Sequence, residues 1–522
     1  MRFYHNLDIS FWHDEAFSAL LIKYPFGEMM RKIGLDVHPP MYYLFLKAWH
    51  SIFGDSALSL RGFSVLFSVA AIWAVWIFVK EAFKDERLAL WAAILAAINP
   101  FQMQYVTEAR MYTMGAFFAL LAAYFLVKAL NRQKEFYEEQ SLGMPNLPAA
   151  IRLRKLMLWN YLGFTVATII IIYTHYYLFF TAAALGFYGL LFLYFHNPHP
   201  GLPLEGGGKG GWNFKKYFPL LLSFIVIVLS FLPWLKTFLF QYKQVGASYW
   251  IPPMNIWSIP STFWDMLLGF ARDTAKTSTE FWLLAVTLFS IYLFYRFLKK
   301  TQSFHRWLIF FAATAPFLGS LLFLALARLK GSNTSLYLDR YFLFAGIFYS
   351  IIVAVWMKEI KFKWLSASLF IVYVLVNLLA FSNYWTNLNV KAKPGMSGAA
   401  KYLNANVEPQ HKIYVGSSFV YFNFKYYNRT SVEPLLYSGG ITEVGQMPHY
   451  AGTALLNDAD LLPNFNRDVK NSDTVWLIWT NGFAGRKPEV PKNWTELYEQ
   501  SYAEVRPPYS NSSVFVTEYK VN

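Results

Sequence analysis

The chain has 522 residues, of which 56% are hydrophobic, 20% aromatic and only 15% charged, and the charges are kept out of long apolar runs. That distribution excludes a soluble globular protein, whose elements would alternate polar and apolar faces, and points to a chain that crosses a membrane many times. The formal charge of +15 comes with no basic stripe interleaved with aromatics, so no nucleic-acid partner is expected, and the absence of cysteine excludes disulfides, thiolate catalysis and zinc–cysteine sites.

Residues 1–57 hold no apolar run of spanning length, and a preceding membrane helix or signal is expected to carry them across. They contain two motifs rich in chemistry. The first is Phe11-Trp12-His13-Asp14-Glu15-Ala16-Phe17, an acidic pair among rings. A carboxylate at an interface can accept a proton from a hydroxyl, although an Asp before a helix-prone stretch is also an ordinary N-cap. The second is Asp36-Val37-His38-Pro39-Pro40-Met41-Tyr42-Tyr43, where proline suits a first helical turn and His38 is either incidental or a hydrogen-bond or phosphate partner of the acidic pair. An amphipathic stretch follows to about Gly54.

About ten membrane helices are expected, near 58–80, 88–105 and 111–128, two within the uncharged stretch Leu156–Phe195, then 217–237, 281–298, 307–327, 341–357 and 364–382. Within Leu156–Phe195 the cluster Tyr173-Thr174-His175-Tyr176-Tyr177 suits an interfacial hairpin turn. If the segment before residue 58 is outside, every inner turn is basic: Lys80, Lys84 and Arg87; Lys128, Arg132, Lys134, Arg152, Arg154 and Lys155; Lys209, Lys215 and Lys216; Arg296, Lys299, Lys300 and Arg306; Lys358, Lys361 and Lys363. The glycine-rich inner stretch Gly201–Gly211 lacks the order of a phosphate loop and reads as a linker.

Three further groups fall on the outer face. Arg61 begins a span, where a guanidinium either snorkels to the interface or holds a phosphate. Thr107-Glu108-Ala109-Arg110-Met111-Tyr112 opens another; on a helix Glu108 and Tyr112 would share a side and Arg110 would point elsewhere. Tyr337-Leu338-Asp339-Arg340-Tyr341-Phe342 opens a third, where Arg340 at a helix start favours an anion unless Asp339 merely caps the helix and pairs with it. After Phe381 polar residues return: Lys412–Ser417, Thr474–Thr480 and Ser513–Val521 read as strands and Ser397–Asn404 as a helix, a small α/β domain.

In order, the motifs HDEAF, HPPMYYLFLKAWHSIFG, LRGFSV, INPFQMQYVTEARMY, THYY and DRYFLF resemble the GT-C glycosyltransferases that use polyprenyl-phosphate sugars. The resemblance is nearest to the bacterial branch related to protein O-mannosyltransferases and to the aminoarabinose and galacturonic-acid lipid A transferases. It covers nearly the whole membrane part. It implies an all-α polytopic membrane fold with a small α/β extracytoplasmic C-terminal domain. The expected divisions are 1–57, a catalytic loop and amphipathic helix; 58–382, the transmembrane domain; and 383–522, the α/β domain.

The activity implied is inverting transfer of a sugar from a polyprenyl-phosphate donor to a protein, lipid or glycan acceptor at the outer face of a multi-pass membrane, with the bacterial plasma membrane as the expected location. By that resemblance Asp14 is the general base, Glu15 supports it and Glu108 is the second outer acid. Arg61 and Arg340 contact the donor phosphate, and His38, Arg110, Tyr112 and His175 are lesser substrate-binding candidates. No resident metal is indicated, and a divalent cation shared by Asp14 and Glu108 is the one cofactor left open. A transporter or lipid flippase would also have many spans and a few intramembrane charges, but its charges belong near the midplane of repeated halves, whereas here they gather at the rim and no repeat is evident. A non-catalytic relative is the third alternative.

Overall fold

The computed structural model describes residues 8–141, 146–196, 214–269, 279–387, 389–467, 469–483, 485–505 and 512–522; the glycine-rich stretch 201–211, with Lys209, lies outside them. The segment before the first span folds into three helices, α1 (His13–Leu21), α2 (Phe26–Leu35) and α3 (Met41–Phe53). α3 stops at Gly54, whose φ of +75 suits a residue without Cβ. Ser56 then N-caps the first span, its side chain accepting from Ser59 N.

That span is α4 (Ala57–Phe83), followed by α5 (Glu86–Ile98), α6 (Pro100–Val106), α7 (Tyr112–Ser141), α8 (Leu147–Ile172), α9 (Leu178–Phe195), α10 (Phe214–Ala247), α11 (Ser258–Leu268), α12 (Thr279–Lys300), α13 (Arg306–Leu329), α14 (Leu343–Lys358) and α15 (Lys363–Asn387). Nine helices among the described residues are long and apolar enough to cross a membrane, which makes this an integral multi-pass protein. The expected tenth, 88–105, is instead broken in two. Asn99 caps α6 by accepting from Gln102 N, and Pro100 has no N–H to continue α5. The polar groups at the break are satisfied by neighbouring spans, Asn99 Nδ2 donating to Met266 O at 2.7 Å and Gln102 Nε2 to Leu343 O at 2.9 Å. The hairpin within Leu156–Phe195 turns at Tyr173–Tyr177 as its sequence suggests.

α7 packs against α4, α8 and α9, while α14, the most buried span, packs against α5, α12 and α13. α10, α12 and α15 lie outermost and expose Leu, Ile, Val and Phe side chains, as a lipid-facing surface requires. The basic turns meet at one end of the bundle: Lys358 pairs with Asp85, and Ser303 Oγ donates to Ala82 O. The chemistry-bearing motifs meet at the other.

The C-terminal residues form α16 (Gly395–Asn406), α17 (Ser418–Tyr427) and a six-stranded sheet of β1 (Lys412–Val415), β2 (Leu435–Tyr437), β3 (Leu461–Leu462), β4 (Thr474–Thr480), β5 (Trp494–Ala503) and β6 (Ser513–Val521), in the order β3-β2-β1-β4-β6-β5. β3, β2, β1 and β4 are parallel neighbours, and β6 and β5 are antiparallel. This domain grips the segment that leads into α1. Tyr427 Oη accepts from Phe11 N at 2.9 Å, and Asn423 Nδ2 donates to Phe11 O at 2.9 Å. Ser10 Oγ donates to Pro394 O at 2.7 Å, and α1 packs directly on α17. The start of α1 is thereby held between the sheet domain and the helical bundle.

Candidate active site

Asp14 lies in the first turn of α1, with Trp12 rather than Asp14 in the N-cap position, so its carboxylate is not consumed in capping. Two guanidiniums approach it from elements far apart in the chain. Arg340 Nη1 lies 3.6 Å from Asp14 Oδ2, and Arg110 Nη2 lies 3.9 Å from the same oxygen. Arg110 Nη1 also donates to Asp14 O at 3.3 Å and to Ser18 Oγ at 3.2 Å. Burial alone would raise the Asp14 pKa, but Arg110 and then Arg340 outweigh it and hold the carboxyl below its ordinary value.

Arg340 faces Asp14 and not Asp339, which instead accepts from Thr262 Oγ1 at 2.8 Å on α11. Its guanidinium sits over Trp12 at 5.6 Å and Trp250 at 5.7 Å, two cation–π contacts that fix it without neutralising it. The Nε atoms of both Arg110 and Arg340 are buried without a hydrogen-bond partner. With one carboxylate between two guanidiniums, this point keeps a positive excess and has donors left for an anion.

Arg110 overturns the expectation that it would point away from its neighbours. Residues 107–111 form a turn between α6 and α7, with Arg110 N donating to Glu108 O at 2.8 Å, so helical spacing does not govern where their side chains go. Glu108 Oε2 is buried and has no hydrogen-bond partner. Burial, with Glu15 and Asp14 adding repulsion, pushes the Glu108 pKa up to about 8.

Arg61, expected to contact the donor phosphate, makes an ion pair with Glu15: its Nε donates to Glu15 Oε1 at 2.8 Å and its Nη2 to Glu15 Oε2 at 2.7 Å. Nη1 donates to Ile9 O at 2.8 Å, and the ring of Phe11 lies 4.9 Å below the guanidinium. Glu15 Oε1 also accepts from Ala109 N at 2.8 Å. This pair is buried, and it locks α1 to α4 and to the 107–111 turn.

The remaining candidates complete one wall. His38 Nε2 lies 3.2 Å from Arg110 Nη2 and its Nδ1 lies 3.0 Å from Asp36 Oδ2. The His38 ring is 6.2 Å from that of His175, which packs at 6.0 Å from Tyr112 and 4.9 Å from Tyr341. Burial holds the His175 pKa well below its ordinary value, so it is neutral. The structure therefore gathers Asp14, Glu15, Glu108, Arg61, Arg340, His38, Arg110, Tyr112 and His175 about one point at one end of the bundle. Residues missed in the sequence are Trp250, which carried no signal in its loop, and Asp36, which stood two residues from His38 inside a motif already singled out.

No group of three or more His, Cys, Asp or Glu side chains among the described residues could hold a metal ion. Asp14 and Glu108 do not fit a shared divalent cation either, because the two guanidiniums already occupy the neighbourhood of Asp14 and make it repel cations.

The helical bundle with its broken second span, its rim of charge and the sheet domain packed beside that rim form a fold that has a solved counterpart. Over 99% of this chain and 95% of that one, it is similar to ArnT from Cupriavidus metallidurans in the apo state, at 11% identity and a TM-score of 0.59. The same protein bound to undecaprenyl phosphate matches over 99% of this chain and 96% of that one, at 11% identity and a TM-score of 0.58. Residues 37–140 match the family described as dolichyl-phosphate-mannose-protein mannosyltransferase. No curated protein matches the chain.

Proposed function

We propose that this protein transfers a sugar from a polyprenyl-phosphate donor to an acceptor on a protein, lipid or glycan, at the outer face of the membrane and with inversion. The observation that carries this reading is the Asp14 carboxylate between Arg110 and Arg340, a base and an anion site sharing one point. The fold shared with a protein solved with undecaprenyl phosphate, and the match to a mannosyltransferase family, support a lipid-phosphate donor.

In this mechanism Asp14 takes the proton of an acceptor hydroxyl while that oxygen bonds to the anomeric carbon from the face opposite the phosphate. The sugar–phosphate C–O bond breaks, its electron pair stays on the polyprenyl phosphate, and the proton remains on Asp14. A phosphate leaving group needs fixed positive charge more than a proton, and guanidiniums supply it at any physiological pH. Donor entry also couples the two roles. An anion beside Arg340 and Arg110 weakens their hold on Asp14, so the carboxylate becomes more basic when the substrate is in place. Arg61 and Glu15 serve as the scaffold that fixes α1, and the sheet domain belongs on the same outer side because it clamps the entry to α1.

The test is mass spectrometry of glycolipids and glycoproteins from cells with and without the gene, followed by transfer from the identified polyprenyl-phosphate sugar to the identified acceptor with purified protein. Loss of one glycosylated product in the deletion and its formation in vitro are expected. An unchanged glycan profile, together with no transfer in vitro, would overturn the reading.

A further inference from the structure

A chain of polar contacts continues outward from Asp14 through residues to which the transfer reaction assigns no step. Arg110 Nη2 meets His38 Nε2 at 3.2 Å, and His38 Nδ1 meets Asp36 Oδ2 at 3.0 Å. A guanidinium can only donate hydrogen bonds, so His38 Nε2 must present its lone pair to Arg110. The ring proton therefore sits on Nδ1 and is donated to the Asp36 carboxylate, which can only accept. The partners on either side leave His38 a single tautomer, and in that tautomer it has no free lone pair with which to act as a base.

The loop that carries this pair is itself held in place. Gln241 Nε2 on α10 donates to Ile33 O at 2.9 Å, and the Gln241 side chain accepts from Tyr176 Oη, which in turn accepts from Trp234 Nε1 at 2.9 Å. Met41 N donates to Tyr173 O at 2.9 Å, tying the start of α3 to the turn that bears His175. Asp36 ends α2, where its own N–H closes onto Ile33 O and Lys32 O at 3.1 Å each. The Asp36 and His38 side chains are 13% and 20% exposed, so water competes little for their contact.

We infer that Asp36 and His38 are a positioning dyad: Asp36 fixes the tautomer of His38, and His38 holds the Arg110 guanidinium against Asp14. The inference rests on the transferase reading for what Arg110 does, but the dyad itself is a matter of hydrogen-bond polarity. Asp36→Asn should be the damaging change although it is isosteric. An amide can accept from Nδ1 through its oxygen or donate to it through its nitrogen, so unlike the carboxylate it no longer dictates the tautomer, and whenever it donates the ring proton moves to Nε2, where it opposes a group that also only donates. His38→Gln should be mild, since an amide oxygen can accept from Arg110 and has no tautomer to lose. In the H38Q background Asp36→Asn then has nothing left to disturb.

The experiment is a double-mutant cycle of full-length protein, wild type, D36N, H38Q and D36N/H38Q, read two ways. In transfer assays D36N should lower kcat by about tenfold or more with little change in donor KM, and the same substitution in H38Q should change kcat by less than about twofold. In thermal melts without substrate, D36N should lower the midpoint in the His38 background and leave it nearly unmoved in H38Q. Equal effects of D36N in both backgrounds, or none in either, would overturn the dyad. A wild type that transfers no sugar from any polyprenyl-phosphate donor would refute the transferase reading instead, and the dyad is then decided by the melting cycle alone.

Discussion

Arg61 and Glu15 form a two-pronged ion pair with both side chains almost wholly buried, 2% and 1% exposed, and 46 residues apart in the chain. Removing one partner leaves the other charged in a site without water, which costs about 3–5 kcal/mol for pairs of this kind. Glu15→Gln and Arg61→Met should each lower the melting midpoint sharply in detergent. If Arg61→Met melted like the wild type and lost only donor binding, Arg61 would return to the phosphate site.

Asp14→Asn keeps size and hydrogen bonding but removes the basic oxygen. Turnover should fall roughly a hundredfold or more, as is ordinary for a general base, while donor binding persists. Arg340→Ala should weaken donor binding as well as turnover, through loss of a charge-assisted phosphate contact. Binding of undecaprenyl phosphate by the purified variants, measured beside transfer rates, separates the two. Full turnover in Asp14→Asn would remove it as the base.

Glu108 takes up its proton at about 8 in the folded protein, against an ordinary value of 4.5. Between those values the folded state binds more protons than the unfolded chain, so stability from this group is fully present below 4.5 and is lost as pH rises through about 8. Glu108→Gln mimics the neutral acid and should flatten that decline. Thermal midpoints of both proteins from about pH 5 to 9 check it, and parallel curves would assign the decline to another group.

The chain contains no cysteine, so single introduced thiols report side without background. Glu443→Cys in the sheet domain should react with an impermeant thiol reagent in intact cells, and Lys361→Cys in the basic turn after α14 should react only after permeabilisation. The reverse pattern would invert the topology.

Much of the membrane architecture was legible because lipid imposes a local rule: a run of about 20 apolar residues must be a helix. The Asn99–Pro100 break was written in the chain too, but hydropathy averages over such a pair. β5 escaped notice for a different reason. Its residues Trp494–Ala503 are mostly exposed and half of them are polar, as suits an edge strand, so the alternation that marks a half-buried strand is missing.

At the site, the sequence by itself determined which residue types stood at one rim of the membrane, since charges there are costly and therefore conspicuous. Only the tertiary structure decided what each one faces. Arg110 turns toward Asp14 because residues 107–111 are not helical, and Arg61 is taken by Glu15 because α1 is pressed against α4. Arg340 meets Asp14 from 326 residues away, and Asp36 matters because its neighbour reaches Arg110. Hydrogen-bond and ion-pair partners depend on distances of a few ångströms between remote segments, and no local pattern of residues encodes those.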